Sequence, residues 1–123
     1  MVRLRMLLLV AGAGLLGCSA ARPLDICSTR GGTYSNVAAQ FEWKTDALHY
    51  TEYVLPQCSH VMVAVYDGRL SNSDRRRMAV LADANIDRSA DLSVATVSFV
   101  GTFSYDEKTG LRRFFPTRIL ELR

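Results

Sequence analysis

Thr96-Val97-Ser98-Phe99-Val100-Gly101-Thr102-Phe103-Ser104-Tyr105 is the most regular stretch of this chain, and its period is two. Val97, Phe99, Phe103 and Tyr105 fall on one side, with Gly101 among them, while Thr96, Ser98, Thr102 and Ser104 fall on the other. Successive side chains of a strand point to opposite faces, so the pattern predicts a strand with one face in a core. Asp106-Glu107-Lys108-Thr109-Gly110 follows as a polar loop closing on glycine, and Phe114 to Leu122 supplies a second apolar run. Two such runs around a short polar loop predict a β-hairpin. Gly101 suits a bend or bulge where the strand must curve.

Working outward, Ser71-Asn72-Ser73-Asp74 offers side-chain oxygens for the first free amides of a helix, with Asp74 three residues after Ser71. Arg75 to Ala84 is rich in helix formers and carries a narrow apolar stripe of Met78, Leu81 and Ala82. Before it, Val61 to Tyr66 is apolar on both faces, which predicts the most buried strand of the sheet. Val37, Ala39, Phe41 and Trp43 alternate with Ala38, Gln40, Glu42 and Lys44, predicting a half-buried first strand. His49 to Leu55 reads as the second strand, stopped by Pro56. The order strand, strand, strand, helix, strand, strand predicts a mainly β fold, a five-stranded OB-like barrel with one helix between strands three and four. The expected division is a leader over residues 1–17, a tether over 18–30 and one barrel domain over 31–123.

Arg3 and Arg5 make a basic start, and the apolar run from Met6 to Leu16 is too short to span a bilayer. Leu15-Leu16-Gly17-Cys18 then resembles the lipobox of bacterial lipoproteins. That resemblance implies cleavage before Cys18, a lipid on that cysteine and attachment to a membrane. Ser19, rather than aspartate, resembles the Gram-negative pattern for transfer to the outer membrane. The competing reading is an ordinary secretory leader cleaved after Ala20 or Ala21, giving a soluble secreted or periplasmic protein. Either route exports the chain.

Of the 15 Lys and Arg residues, Arg3 and Arg5 leave with the leader, so 13 stand against 12 Asp and Glu. So even a balance gives no concentrated basic surface and excludes nucleic acid as an expected partner. With Cys18 assigned to lipid, Cys27 and Cys58 remain as an even pair in an oxidising compartment, expected to form a disulfide; two free thiols are the alternative. No metal or other cofactor is expected. His49 and His60 show no ligand spacing with the cysteines, and Asp83, Asp87 and Asp91 lack the clustered oxygens and fixed glycine of a calcium loop.

The mature chain resembles a group of small exported bacterial proteins of uncharacterised function with OB-like barrels. The residues that carry the likeness are Cys27, Cys58 in Leu55-Pro56-Gln57-Cys58, and Val97-Ser98-Phe99-Val100-Gly101-Thr102-Phe103. The resemblance implies a fold and an address, and it brings no catalytic residue with it.

Chemistry is sparse in the sequence. Ser59-His60 is the nearest thing to a reactive pair, but neighbours on a strand point to opposite faces. Arg75-Arg76-Arg77 spreads over roughly 200° of a helix and so cannot form one patch. Aromatics give the strongest hint, since Trp43, Tyr50, Tyr53 and Tyr66 lie on the first three strands. OB-folds hold nucleic acids and oligosaccharides on the face of strands two and three, with help from flanking loops. The expected ligand or partner contacts are therefore Tyr50, Tyr53 and Tyr66, with Lys108, Arg112 and Arg113 beside the hairpin loop. Against this stands the reading that Trp43 and one tyrosine are simply core. The expected function is a non-catalytic binding or interaction module tethered in the periplasm, with an envelope protein or glycan as partner. A structural accessory of an envelope complex and a small enzyme are the alternatives.

Overall fold

The computed structural model describes residues 21–46, 51–87 and 92–123. They form one mainly β sheet with a single helix. The strands are β1 (Arg22–Pro23), β2 (Gly32–Asp46), β3 (Thr51–Val54), β4 (Val63–Val65), β5 (Ile86–Asp87), β6 (Leu92–Asp106) and β7 (Leu111–Leu122), and the helix is α1 (Asn72–Ala84). The sheet path is β1-β2-β6-β7-β4, with β3 on the outer flank of β2 and β5 on β6.

β6 and β7 are the expected hairpin, antiparallel from Val97 opposite Leu122 to Asp106 opposite Leu111. The loop is closed by its own polar groups. Asp106 Oδ1 accepts from the Lys108 amide at 2.9 Å, the Asp106 carbonyl accepts from the Gly110 amide at 2.7 Å, and Gly110 takes φ of 71°. That left-handed conformation is one glycine adopts without penalty. Along β6 the inward set Val97, Phe99 and Phe103 is fully buried. Gly101 belongs to the same face and lies against the neighbouring backbone. A Cβ there would run into the Phe115 carbonyl oxygen and come within 2.7 Å of Pro116 Cα. The ladder slips at this point and again between Ser98 and Phe99. Each slip leaves one extra residue on β7, first Thr117 and then Leu120, and bulges of this kind bend a strand and admit a proline.

β2 supplies the facing half of the core. Val37, Ala39, Phe41 and Trp43 are buried, and Phe41, Phe99 and Phe114 meet with ring centres 5.5–6.4 Å apart. The strand starts five residues before its clean alternation, because a bulge with Asn36 at φ of 58° lets Gly32 to Tyr34 continue the pairing with β6. Asparagine is among the few residues that tolerate that conformation.

The helix has the expected cap. Ser71 Oγ accepts from the Asp74 amide at 3.0 Å, while Met78 is buried and Leu81 and Ala82 pack against the core. Asp74 also ties the helix to the bulged strand, its Oδ2 accepting from the Ile119 amide at 3.2 Å and its Oδ1 pairing with Arg77 at 3.2 Å. Arg75 turns to Asn72 and Asp67, so the three arginines do not share a patch. Ser71→Ala should lower stability by about 1 kcal/mol, the usual worth of such a cap, and lower the melting temperature by about 4–8 °C in a thermal scan.

Two expectations change. Val61 to Tyr66 is not the most buried strand. Among the described residues β4 pairs only with β7, in parallel, from Val63 opposite Arg112 to Val65 opposite Phe114, and all three of its residues are half-buried. It is an edge, and Met62 beside it is 87% exposed. An apolar run constrains burial only when neighbours cover both its faces, and here one flank has no neighbour in register. For the same reason the sheet does not close. β3 lies on the outer flank of β2 and β4 at the far end of the path, and no ladder joins them among the described residues.

The segment before β2 is packed onto the sheet. Arg22 and Pro23 pair in parallel with Val37 and Ala38, Ile26 is buried in the core, and Asp25 caps the following turn through Cys27 N and Ser28 Oγ. Cys27 is joined to Cys58, with Cα atoms 6.1 Å apart across 31 residues of sequence. Residues from Arg22 to Cys27, expected as tether, thus lie against the domain.

Candidate binding groove

The open flank between β3 and β4 forms a groove of about 520 Å³. Tyr53 and Val54 stand on one side, and Val63, Ala64 and Val65 on the other. Alternation turns Val63 and Val65 toward the core and Ala64 and Tyr66 outward. Tyr66 is 46% exposed and stacks on Phe115 of β7, with ring centres 5.1 Å apart and planes 17° from parallel. The Arg69 guanidinium lies over the same Phe115 ring, 4.8 Å from its centre. Arg113 is two residues from Phe115 on β7 and so shares its outward face. Of these groups Tyr66 lines the groove, and Phe115, Arg69 and Arg113 extend from it as an aromatic and cationic patch across β4 and β7.

A second cleft of about 530 Å³ lies beneath α1 and shares Thr51, Tyr53 and Asp67 with the groove as lining residues. Met78, Ala79 and Ala82 of the helix give it an apolar wall, and Trp43 of β2 faces them. Trp43 and Tyr53 are direct cross-strand partners between β2 and β3. The polar atom of each, Trp43 Nε1 and Tyr53 Oη, is buried without a hydrogen-bond partner. Such atoms are uncommon in folded proteins, and each costs about 1–3 kcal/mol.

Tyr53 combines two environments. Its ring packs edge-on against Phe41 at 5.9 Å and against Phe99 at 6.0 Å, inside the core. Its phenol is pushed above its ordinary value of 10, first by burial and then by the negative charge and hydrogen-bonding pull of Asp67. That carboxylate acts on the phenol without completing a hydrogen bond to Oη. Two results are expected. Tyr53→Phe keeps the ring and removes the orphaned oxygen, so it should raise stability by about 1 kcal/mol in denaturant titration. The phenol stays protonated in the folded chain at a pH where it ionises in the unfolded one. Stability is therefore intact below pH 10 and falls as pH rises beyond it. Melting temperature above that pH should fall more steeply for wild type than for Tyr53→Phe.

No family model, curated protein or solved structure matches this chain. The groove is therefore read from its own residues.

Of the residues singled out in the sequence, Tyr66 lines the groove and Tyr53 lies between core and groove. Tyr50 lies outside the described residues. Lys108 is exposed in the β6–β7 loop. That loop sits at the end of the sheet away from α1, since β6 begins beside the helix, where Ser93 Oγ donates to the Ala82 carbonyl, and ends at the loop. Arg112 is 8% exposed and points inward. Its Nε donates to the Ile26 carbonyl at 3.2 Å, its Nη2 to the Cys27 carbonyl at 3.4 Å, and its guanidinium lies over Tyr105. It seals one end of the core, a structural task. Arg113, the next residue, is the one that shares the face of Tyr66.

Phe115, Arg69 and Trp43 were not among the expected contacts. A signal for Phe115 was present in the doublet Phe114-Phe115, because a strand with one buried face can turn only one of two adjacent rings inward. Arg69 had none, its position over Phe115 depending on the turn Asp67–Arg69 that follows β4.

Proposed function

We propose that this chain is a non-catalytic binding module of the cell envelope, exported by residues 1–17 and held on a membrane, the outer one, through a lipid on Cys18. The recognition face in this proposal is the β3–β4 groove with the Tyr66, Phe115 and Arg69 patch beside it. The observation that carries it is the exposed Tyr66–Phe115 stack beside an open sheet flank. Aromatic and arginine side chains dominate binding energy at interfaces because each joins a large contact area to a polar end. An OB-like barrel is the finer description of the fold that goes with it. Its five core-bearing strands follow the path β3-β2-β6-β7-β4, and a β3–β4 ladder is what a closed ring would add. OB-folds are partly open five-stranded barrels that bind along such a face.

Export is supported by two independent features. The Cys27–Cys58 disulfide belongs to an oxidising compartment, and Leu15-Leu16-Gly17-Cys18 ends a short apolar leader. Stable attachment takes more than one acyl chain, which a lipidated N-terminal cysteine would provide. Mass spectrometry of the mature protein should find a lipidated N-terminus at Cys18, and an unmodified one at Ala21 or Arg22 would remove the membrane from the proposal.

The face is tested by measuring affinity for envelope glycans and for envelope proteins with wild type, Tyr66→Ala, Phe115→Ala and Lys108→Ala. Loss of either ring should weaken binding at least about tenfold, or 1.4 kcal/mol, while Lys108→Ala should leave it unchanged. The opposite ranking would move recognition to the β6–β7 loop.

A further inference from the structure

β4 leaves one main-chain edge unused. The Tyr66 amide donates to the Phe114 carbonyl at 2.9 Å, so Tyr66 and, two residues before it, Ala64 turn their main-chain groups toward β7. Neighbouring residues of a strand turn theirs to opposite edges, which sends the N–H and C=O of Val63 and Val65 toward the groove. No ladder takes them up among the described residues. The groove's lining agrees, because every residue from Met62 to Asp67 contributes to it. Side chains alternate between the faces of a strand, so an unbroken run of lining residues means that the groove follows the main-chain edge itself.

Free edges template pairing with another chain, and proteins blunt them with a charged side chain, a proline or a bulge. Val63-Ala64-Val65 carries none of the three. The side chains around that edge have a definite character as well. Val63 and Val65 pack against the core, and the charged residues lining the groove, Glu52 and Asp67, are both acidic. Arg69 and Arg113 belong to the β7 side of β4, away from this edge.

We infer that the free edge of β4 takes up an extended, lysine- or arginine-bearing segment of a partner protein as an added strand, a reading that rests on the recognition face proposed above. The donor and acceptor of Val63 recur at Val65, about 6.6 Å further along, and an extended chain presents its own donors and acceptors at the same two-residue interval. In pairings of this kind main-chain bonds give affinity and alternate side chains give specificity. Apolar residues of the segment turn inward beside Val63 and Val65, and its basic residues answer Glu52 and Asp67. The ladder is short, so the segment also needs the contact area of Tyr66, which the groove places beside it.

The probe is a peptide selected from a phage-displayed random library on the immobilised mature chain, then synthesised and titrated by calorimetry. The selected peptide should carry lysine or arginine, and its binding should slow amide hydrogen exchange at Val63 and Val65 at least about tenfold while leaving Ala64, already bonded to β7, unchanged. Proline is tolerated on an edge strand where its missing N–H would have faced outward. Val65→Pro should therefore weaken the peptide at least about tenfold, while Val65→Ala, which trims the side chain and keeps the N–H, should bind within about threefold of wild type. Exchange in the wild-type chain carries the test alone if Val65→Pro does not fold. The added strand is overturned if selection returns no binder, if the bound peptide leaves Val63 and Val65 exchanging as before, or if only envelope glycans bind. It is overturned equally if the chain dimerises in sedimentation with those two amides slowed and no peptide present, since the occupant is then a second copy. Replacing the peptide's basic residues by glutamine without loss of affinity would overturn the charge preference. Loss of binding in Tyr66→Ala with no slowing at Val63 and Val65 would keep the recognition face and remove the added strand. Slowing at both amides with full affinity in Tyr66→Ala and Phe115→Ala would keep the added strand and remove the aromatic patch.

Discussion

Cys27→Ser/Cys58→Ser should melt about 15–25 °C below wild type, the largest shift expected of any change considered. The bond closes 31 residues of chain, and the loop-closure relation gives about 3.7 kcal/mol for that length. What the bond holds makes the number matter. Cys27 lies on the segment that places Ile26 in the core, and Cys58 is buried in the turn between β3 and β4. Cutting the bond frees the start of the domain and one wall of the groove together. Thermal unfolding followed by circular dichroism measures the effect. A loss under about 1 kcal/mol would mean that packing of Ile26 and the hold of Arg112 fix the segment without the covalent link.

The second large effect is expected at Arg112. Arg112→Met keeps much of the side-chain volume but removes the donors to the Ile26 and Cys27 carbonyls and the cation over Tyr105. Hydrogen bonds from a charged group contribute about 1.5–3 kcal/mol each, so losing both and leaving two acceptors short should cost about 3 kcal/mol in urea titration. The effects at Arg112 and at the disulfide should not add, because both act on the same short segment. Once that segment is released by one change, the other has less left to remove. Additivity within about 0.5 kcal/mol in the triple variant would show that the two act on separate parts of the fold.

The contrast between Arg112 and Arg113 explains what could be read from sequence and what could not. The β6–β7 hairpin, the alternation of Val37 to Trp43 and the Ser71 cap were legible because each is set by local periodicity or by a side chain bonding its own backbone. The Cys27–Cys58 pairing followed from cysteine number and compartment. Arg112 is expected as a contact with Lys108 and Arg113 beside the loop, yet the same alternation that turns Phe114 inward turns Arg112 inward too. A charge can lie there because the Ile26 and Cys27 carbonyls accept from it. The run Val61 to Tyr66 was harder, since an apolar strand is buried or exposed according to whether a neighbour pairs with its flank. Nothing within six residues reveals that β3 does not. The Trp43–Tyr53 pair was out of reach for a related reason, because it depends on the register between β2 and β3, which neither strand's own pattern fixes. The aromatic residues expected on the first three strands form one group in the sequence, but the structure divides those it describes by position. Tyr66 lines the groove, Tyr53 bridges core and groove, and Trp43 lies in the cleft.

Recognition, in this proposal, uses the open flank between β3 and β4 and the Tyr66–Phe115 stack beside it. Amide chemical-shift mapping of the isotopically labelled mature chain, titrated with an envelope glycan or protein that binds, tests this residue by residue. The shifts should concentrate at Thr51 to Val54, Val63 to Asp67 and Phe115. Shifts confined to the loop from Asp106 to Gly110, or to the Leu24 to Cys27 segment at the disulfide end, would contradict it.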